Sequence, residues 1–114
     1  MQAQTATDTT THLLIAETLR AEAAAAGVAV EQIVLFGSRA RGDADLHSDW
    51  DVMIILQNPV SRQERIELFA RFNRALARRL IPCDLIIRSK QEVQTERQRI
   101  GSIVRAALVE GMPL

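Results

Sequence analysis

The sequence predicts an α+β domain in which a small mixed β-sheet is flanked by helices, and three observations predict it. Short apolar runs of strand length stand at residues 33–36, 49–56 and 83–88. Stretches with helical spacing fill residues 12–26, 61–81 and 89–108. Turn-forming Gly, Pro or Asn punctuate the junctions, giving the order α-β-β-α-β-α with no internal repeat and no linker.

Residues 1–10 are rich in Thr and Gln and read as a frayed tail, leaving 11–114 as the domain. His12 to Ala26 is rich in Ala, Leu and Glu, strong helix formers, and Gly27 stands where a left-handed cap belongs. Leu13, Ala16, Leu19 and Ala23 form its apolar stripe. Ile33-Val34-Leu35-Phe36 is a buried strand that stops at Gly37-Ser38. Residues 38–48 are small and polar, a loop with room for one helical turn. Asp49 to Leu56 is the second strand. Its alternation sets Trp50, Val52, Ile54 and Leu56 on one face, with Asp49, Asp51, Met53 and Ile55 on the other. Ser61 with Glu64 is a capping box, followed by Ile66, Phe69, Phe72, Leu76 and Leu80 at helical spacing until Pro82. Cys83 to Arg88 is a third strand in which Asp84 and Ile86 share a face. Ser89 with Glu92 opens the last helical stretch, which Gly101 can break in two and Gly111 and Pro113 close.

Composition removes several classes of function. Fourteen Lys and Arg balance fourteen Asp and Glu, so no global field draws the chain to nucleic acid or anionic lipid. The lone Cys83 excludes an internal disulfide and any multi-cysteine zinc site, and makes a reducing cytoplasm the simplest setting. The longest unbroken aliphatic run is Val52–Leu56, far short of the ~20 residues that span a bilayer. Residues 1–11 lack the basic and apolar regions of a signal peptide.

The chemistry is concentrated between Gly37 and Asp51. Gly37-Ser38 ends a strand, so backbone N–H groups and the Ser38 hydroxyl are free to face an anion. Asp49 and Asp51 project from one strand face about 7 Å apart, a costly pairing unless a cation neutralises it. Oxygen-only sites of this kind suit Mg²⁺, which completes its shell with water and phosphate oxygens. Asp84 is the sole acid of an apolar strand, and becomes a third ligand if that strand lies beside the Asp49–Asp51 strand. Three carboxylates can hold two Mg²⁺ ions.

Gly37-Ser38, the ten residues 39–48, and Asp49-Trp50-Asp51 together reproduce without a gap the signature of a known family. In this the sequence resembles the minimal nucleotidyltransferases of the DNA polymerase β superfamily, over about Ile33 to Leu108, with Asp84 matching the third acid by strand order. The resemblance implies a polymerase β palm-like fold, Mg²⁺-dependent transfer of a nucleoside monophosphate from ATP, and release of pyrophosphate. It implies Asp49, Asp51 and Asp84 as catalytic metal ligands, and Gly37, Ser38 and Arg39 as nucleotide-binding residues. Many small members are antitoxins that silence a HEPN-domain toxin by adenylylating one of its tyrosines. Residues 101–111 look like the tail of that group, which implies a HEPN-domain toxin as partner.

The remaining polar residues read more plainly. Arg39 and Arg41 suit phosphate contacts and a solvated loop equally. Asp43, Asp45 and His47 read as surface residues, and Ser48 as a local hydrogen bonder. Trp50, opposite the carboxylates, reads as a core or partner contact, and Cys83 as a small buried hydrophobe. Arg62, Arg65, Arg71, Arg74, Arg78 and Arg79 on one helix read as a solvated face or as a docking surface for an acidic partner. Scarce aromatics argue against direct RNA binding. Two other functions fit the motif: AMP transfer to a small molecule of aminoglycoside type, and inhibition of a partner by binding without catalysis. The first needs a second domain for which 114 residues leave little room.

Overall fold

The computed structural model describes residues 2–114, with side chains from Asp8 onward. Its elements are α1 (Gln2–Ala25), β1 (Val30–Phe36), α2 (Ser38–Arg41), β2 (Trp50–Leu56), α3 (Arg62–Arg78), β3 (Cys83–Ser89), α4 (Lys90–Glu96), α5 (Ile103–Glu110) and β4 (Met112–Pro113). Local chemistry sets most boundaries. Gly27, at φ 76°, closes α1 as the Val28 N–H donates to the Ala23 carbonyl at 3.0 Å. Both capping boxes form. The Glu64 N–H donates to Ser61 Oγ and the Glu92 N–H to Ser89 Oγ, each at 3.1 Å.

The four strands run in the order β3-β2-β1-β4. β2 lies antiparallel to β1 and parallel to β3, and β4 is antiparallel to β1, so the sheet is mixed as the element order predicts. Register places Phe36 opposite Asp51, and Asp51 beside Asp84. The expected alternation of β2 holds. Trp50, Val52, Ile54 and Leu56 pack with Ile33, Leu35, Leu85 and Ile87 beneath α1 and α3. Met53 and Ile55 pack with Val34, Phe36, Val93, Val104 and Ala107 beneath α4 and α5.

Several expectations need correcting. The inward line of α1 is Ile15, Leu19 and Ala23, while Leu13 is 59% exposed. Alanine surrounds that helix on most sides, so its apolar contrast is weak and docking on the sheet decides which face turns in. In α3 the buried residues are Leu68, Phe72, Ala75 and Leu76, whereas Ile66 and Phe69, and Leu80 two residues past its end, are exposed. Two apolar stripes overlap on this helix, and the sheet accepts one of them. Helix α1 begins at Gln2 rather than near His12, so residues 8–10, expected as tail, are helical. The tail side chains of residues 1–7 lie outside the described residues. Strand β4 has no counterpart among the expected elements.

Gly101, at φ 83°, does separate two helices, and Ser102 caps the second by accepting from the Arg105 N–H at 3.0 Å. β3 is an outer strand, and the Arg65 and Arg88 guanidiniums both donate to its Ile87 carbonyl, at 3.1 and 2.9 Å. Among the described residues no helix is long and apolar enough to cross a membrane.

Candidate active site

The site begins where β1 ends. Gly37 has φ 73° and ψ −161°, a region essentially closed to residues with a side chain. Space gives a second reason for glycine, because a Cβ here would collide with the Asp51 carboxylate. The chain then turns through α2, as the sequence allowed, and leaves it at Gly42 with φ 86°.

The loop back to β2 is braced by its own side chains. Ser48 Oγ accepts from the Asp45 N–H at 3.0 Å, and Asp45 Oδ1 accepts from the His47 N–H at 2.8 Å. Ser48 is thus a local hydrogen bonder, and Asp43, Asp45 and His47 are exposed, as expected. The Trp50 N–H donates to the Pro82 carbonyl at 2.9 Å, pinning the start of β2 to the start of β3.

That pinning gathers the carboxylates. Asp51 and Asp84 are register partners on the α4–α5 side of the sheet, and Asp49 immediately precedes β2. Asp51 is half-buried, and its carboxyl is pushed above the usual carboxylate range. Burial is the main cause, followed by the charges of Asp84, Asp49 and Glu110, with Arg41 opposing them. Among the described residues no three His, Cys, Asp or Glu side chains converge tightly enough to hold a metal as they stand. The donor set is all carboxylate and concentrates like charge, which fits a hard divalent cation with water and phosphate oxygens completing its shell.

Cys83 lies on the opposite face, packed partly buried against the α1–α3 core, as expected of a small hydrophobe. Burial, aided by the neighbouring aspartates, pushes its thiol up to about 12, so it stays protonated and unreactive.

Arg39 is turned to the Trp50 side. Its guanidinium donates to the Ser48 carbonyl at 2.9 and 3.2 Å and lies 4.4 Å from the Trp50 ring centroid. Trp50 is a core residue, and the His12 ring meets it edge-on at 5.3 Å. A cleft of about 510 Å³ opens on this side, lined by Leu14, Arg39, Trp50 and Arg79 among others, with Asp49, Asp51 and Asp84 absent from its walls. Asp49 and Asp84 are exposed, and Asp51 between them is half-buried.

Sequence reasoning missed Glu110. This last residue of α5 accepts from the Gly37 N–H at 2.9 Å through Oε1 and from Arg41 Nη1 at 3.0 Å through Oε2. It is 73 positions from Gly37, and no spacing rule links the two. The docking helix also changes character, because Arg71 pairs with Glu22 at 3.0 Å and Arg65 with Glu92 at 2.8 Å.

Comparison with known proteins bears on the fold and the family. The chain is similar to a candidate nucleotidyltransferase from Sulfolobus solfataricus whose crystal structure is known. The two are 22% identical with a TM-score of 0.58, over 88% of this chain and 75% of that one. It is also similar to a toxin–antitoxin crystallised with AMP-PNP, at 22% identity and TM-score 0.55, over 88% of this chain and 68% of that one. Among curated proteins no sequence matches. These likenesses are likenesses of fold. Residues 16–109 match the nucleotidyltransferase domain, and with most of its length covered, this chain belongs to that family.

Proposed function

We propose that this protein transfers AMP from ATP, with Mg²⁺, to a tyrosine hydroxyl of a partner HEPN-domain toxin in the cytoplasm, and so neutralises the toxin. One observation carries the proposal: Asp51 and Asp84 are paired in register beside the glycine turn, with Asp49 one residue ahead of the strand. Family membership supports nucleotidyl transfer, and the resemblance of the Gly37–Asp51 segment to minimal nucleotidyltransferases supports AMP and the toxin partner. The fold is shared with a toxin–antitoxin crystallised with AMP-PNP.

Asp49, Asp51 and Asp84 would hold the magnesium, which supplies charge neutralisation at the transferring phosphoryl group. The chain's own part is placement. The Gly37 turn brings Ser38 to the end of β1, where its hydroxyl suits the nucleotide phosphates. The carboxylates sit one strand away, in an open site that a protein surface can reach. In the reaction the acceptor hydroxyl gives up its proton to solvent as its oxygen bonds to the α-phosphorus, the bond from the α-phosphorus to the oxygen bridging to the β-phosphate breaks, and pyrophosphate leaves with that electron pair. This chain has no tyrosine, so a tyrosine acceptor lies on another protein. Docking that holds that hydroxyl in line would supply much of the rate.

The test mixes the purified protein, Mg-ATP and the purified product of the neighbouring gene, and weighs both proteins. Addition of AMP to a partner tyrosine, lost when Asp49 and Asp51 are both changed to Asn, is expected. Partner inhibition that survives the double change would overturn catalysis, and AMP found only on small molecules would overturn the acceptor.

A further inference from the structure

Glu110 stands outside the Gly37–Asp51 signature, yet it touches a tightly constrained stretch of backbone. Gly37 combines a glycine-only conformation with a carboxylate neighbour that leaves no room for a Cβ. β1 ends at Phe36, so the sheet ladder does not reach the Gly37 N–H, and the partner it has is Glu110 Oε1 at 2.9 Å. The second oxygen binds Arg41, at the other end of the short helix that begins with Ser38. One side chain therefore holds both ends of the turn.

The delivery of Glu110 is itself built in. A side chain at Gly111 would strike the Ala107 carbonyl and the Val34 side chain, so glycine lets the end of α5 lie flat on β1. β4 then pairs with β1 at Val34 and Leu35, and the Leu114 N–H donates to the Ile33 carbonyl at 2.8 Å. The last turn of α5 is fixed on both sides. Its terminal carboxylate reaches the turn from a rigid base, and charge-assisted bonds of this kind are the stronger ones.

We infer that Glu110 is a positioning residue for nucleotide binding, fixing the Gly37-Ser38 turn and Arg41 through its two carboxylate oxygens. This rests on the function proposed above and adds a residue to it. Glu110 acts through Gly37 and Arg41, and holds the Ser38 hydroxyl where a phosphate meets it. A glutamine keeps an acceptor for the Gly37 N–H, whereas alanine leaves that N–H without its partner and Arg41 with Asp43 alone.

The experiment measures binding of Mg-AMP-PNP by calorimetry, thermal unfolding, and amide exchange at Gly37 for wild type, Glu110→Gln and Glu110→Ala. Expected is roughly tenfold weaker binding in Glu110→Ala, with most of it recovered in Glu110→Gln. Melting temperatures should stay close, and the Gly37 amide should exchange faster in the alanine variant alone. Equal binding in all three would overturn the inference. Tighter binding in Glu110→Ala would also overturn it, by making the carboxylate a competitor of phosphate. If wild type binds no nucleotide, the proposed function fails instead. The Gly37 amide then decides the inference: faster exchange in Glu110→Ala alone supports the hold on the turn, and unchanged exchange overturns it.

Discussion

At the scale of single residues, the site is a set of carboxylates held closer than they would choose to be. Asp51 carries most of the conflict, because it is half-buried and faces the charges of Asp84, Asp49 and Glu110. Asp51→Asn should therefore stabilise the protein in the presence of a chelator, raising its melting temperature by roughly 2–4 °C while abolishing transfer. A lower melting temperature without metal would show that the carboxylate is needed for folding. Much of this was legible in advance. The spacing of Gly37-Ser38 from Asp49 and Asp51 is local and chemical, and the side of the sheet that Asp51 takes follows from alternation alone. Arg39 and Glu110 were not legible. Both are decided by tertiary contacts, one with the Trp50 ring and the other with an amide 73 positions away.

Elements show the same division between local and distant causes. Capping boxes and the Gly27 cap were readable because each is settled within a few neighbouring residues. The inward faces of α1 and α3 were not, since each helix offers more than one apolar stripe and the sheet selects. Strand β4, two residues ending in proline, is too short to leave a periodic signal. The end of α3 carries a correctable strain. Leu80 has φ 59° and is 89% exposed, so it bears the left-handed penalty and buries almost nothing in return. Leu80→Gly should stabilise by about 0.5–1 kcal/mol after the entropy of glycine is subtracted, visible as a rise in melting temperature. No rise would mean that the turn is unstrained. At the start of α4, burial pulls the Glu92 carboxyl up, but hydrogen bonds from Ser89 and Arg65 outweigh it and hold it below its ordinary value. A depressed carboxyl stabilises the fold above its unfolded value and ceases to do so as pH falls through the folded one. Glu92→Gln should thus cost about 0.5–1 kcal/mol at neutral pH, a modest figure for a part-exposed pair. The difference from wild type should vanish in acid, below the ordinary glutamate range. A gap that persists undiminished there would assign the effect to packing.

On the scale of the whole molecule, one sheet divides the labour. Its α1–α3 side is the larger core, and its other side carries the carboxylates at the ends of β2 and β3. The docking surface expected on α3 is thinner than its arginine count suggests, since Arg65 and Arg71 are engaged within the fold. Exposed on that helix instead are Ile66 and Phe69, beside the outer strand β3. An outer strand flanked by apolar side chains is the kind of surface on which sheets grow without limit. Here the Ile87 carbonyl is held by two guanidiniums, which fill the place a foreign strand would take. On this geometry Arg65 and Arg88 are expected to act as gatekeepers against fibril growth. The double change Arg65→Ala and Arg88→Ala should leave the monomer folded but shorten the lag before light scattering rises at high concentration. An unchanged lag would mean that β3 is kept from self-association by something else. Arg65, whose engagement leaves α3 poorer in free charge, and Arg88 of β3 itself would on this account be what lets the protein be concentrated.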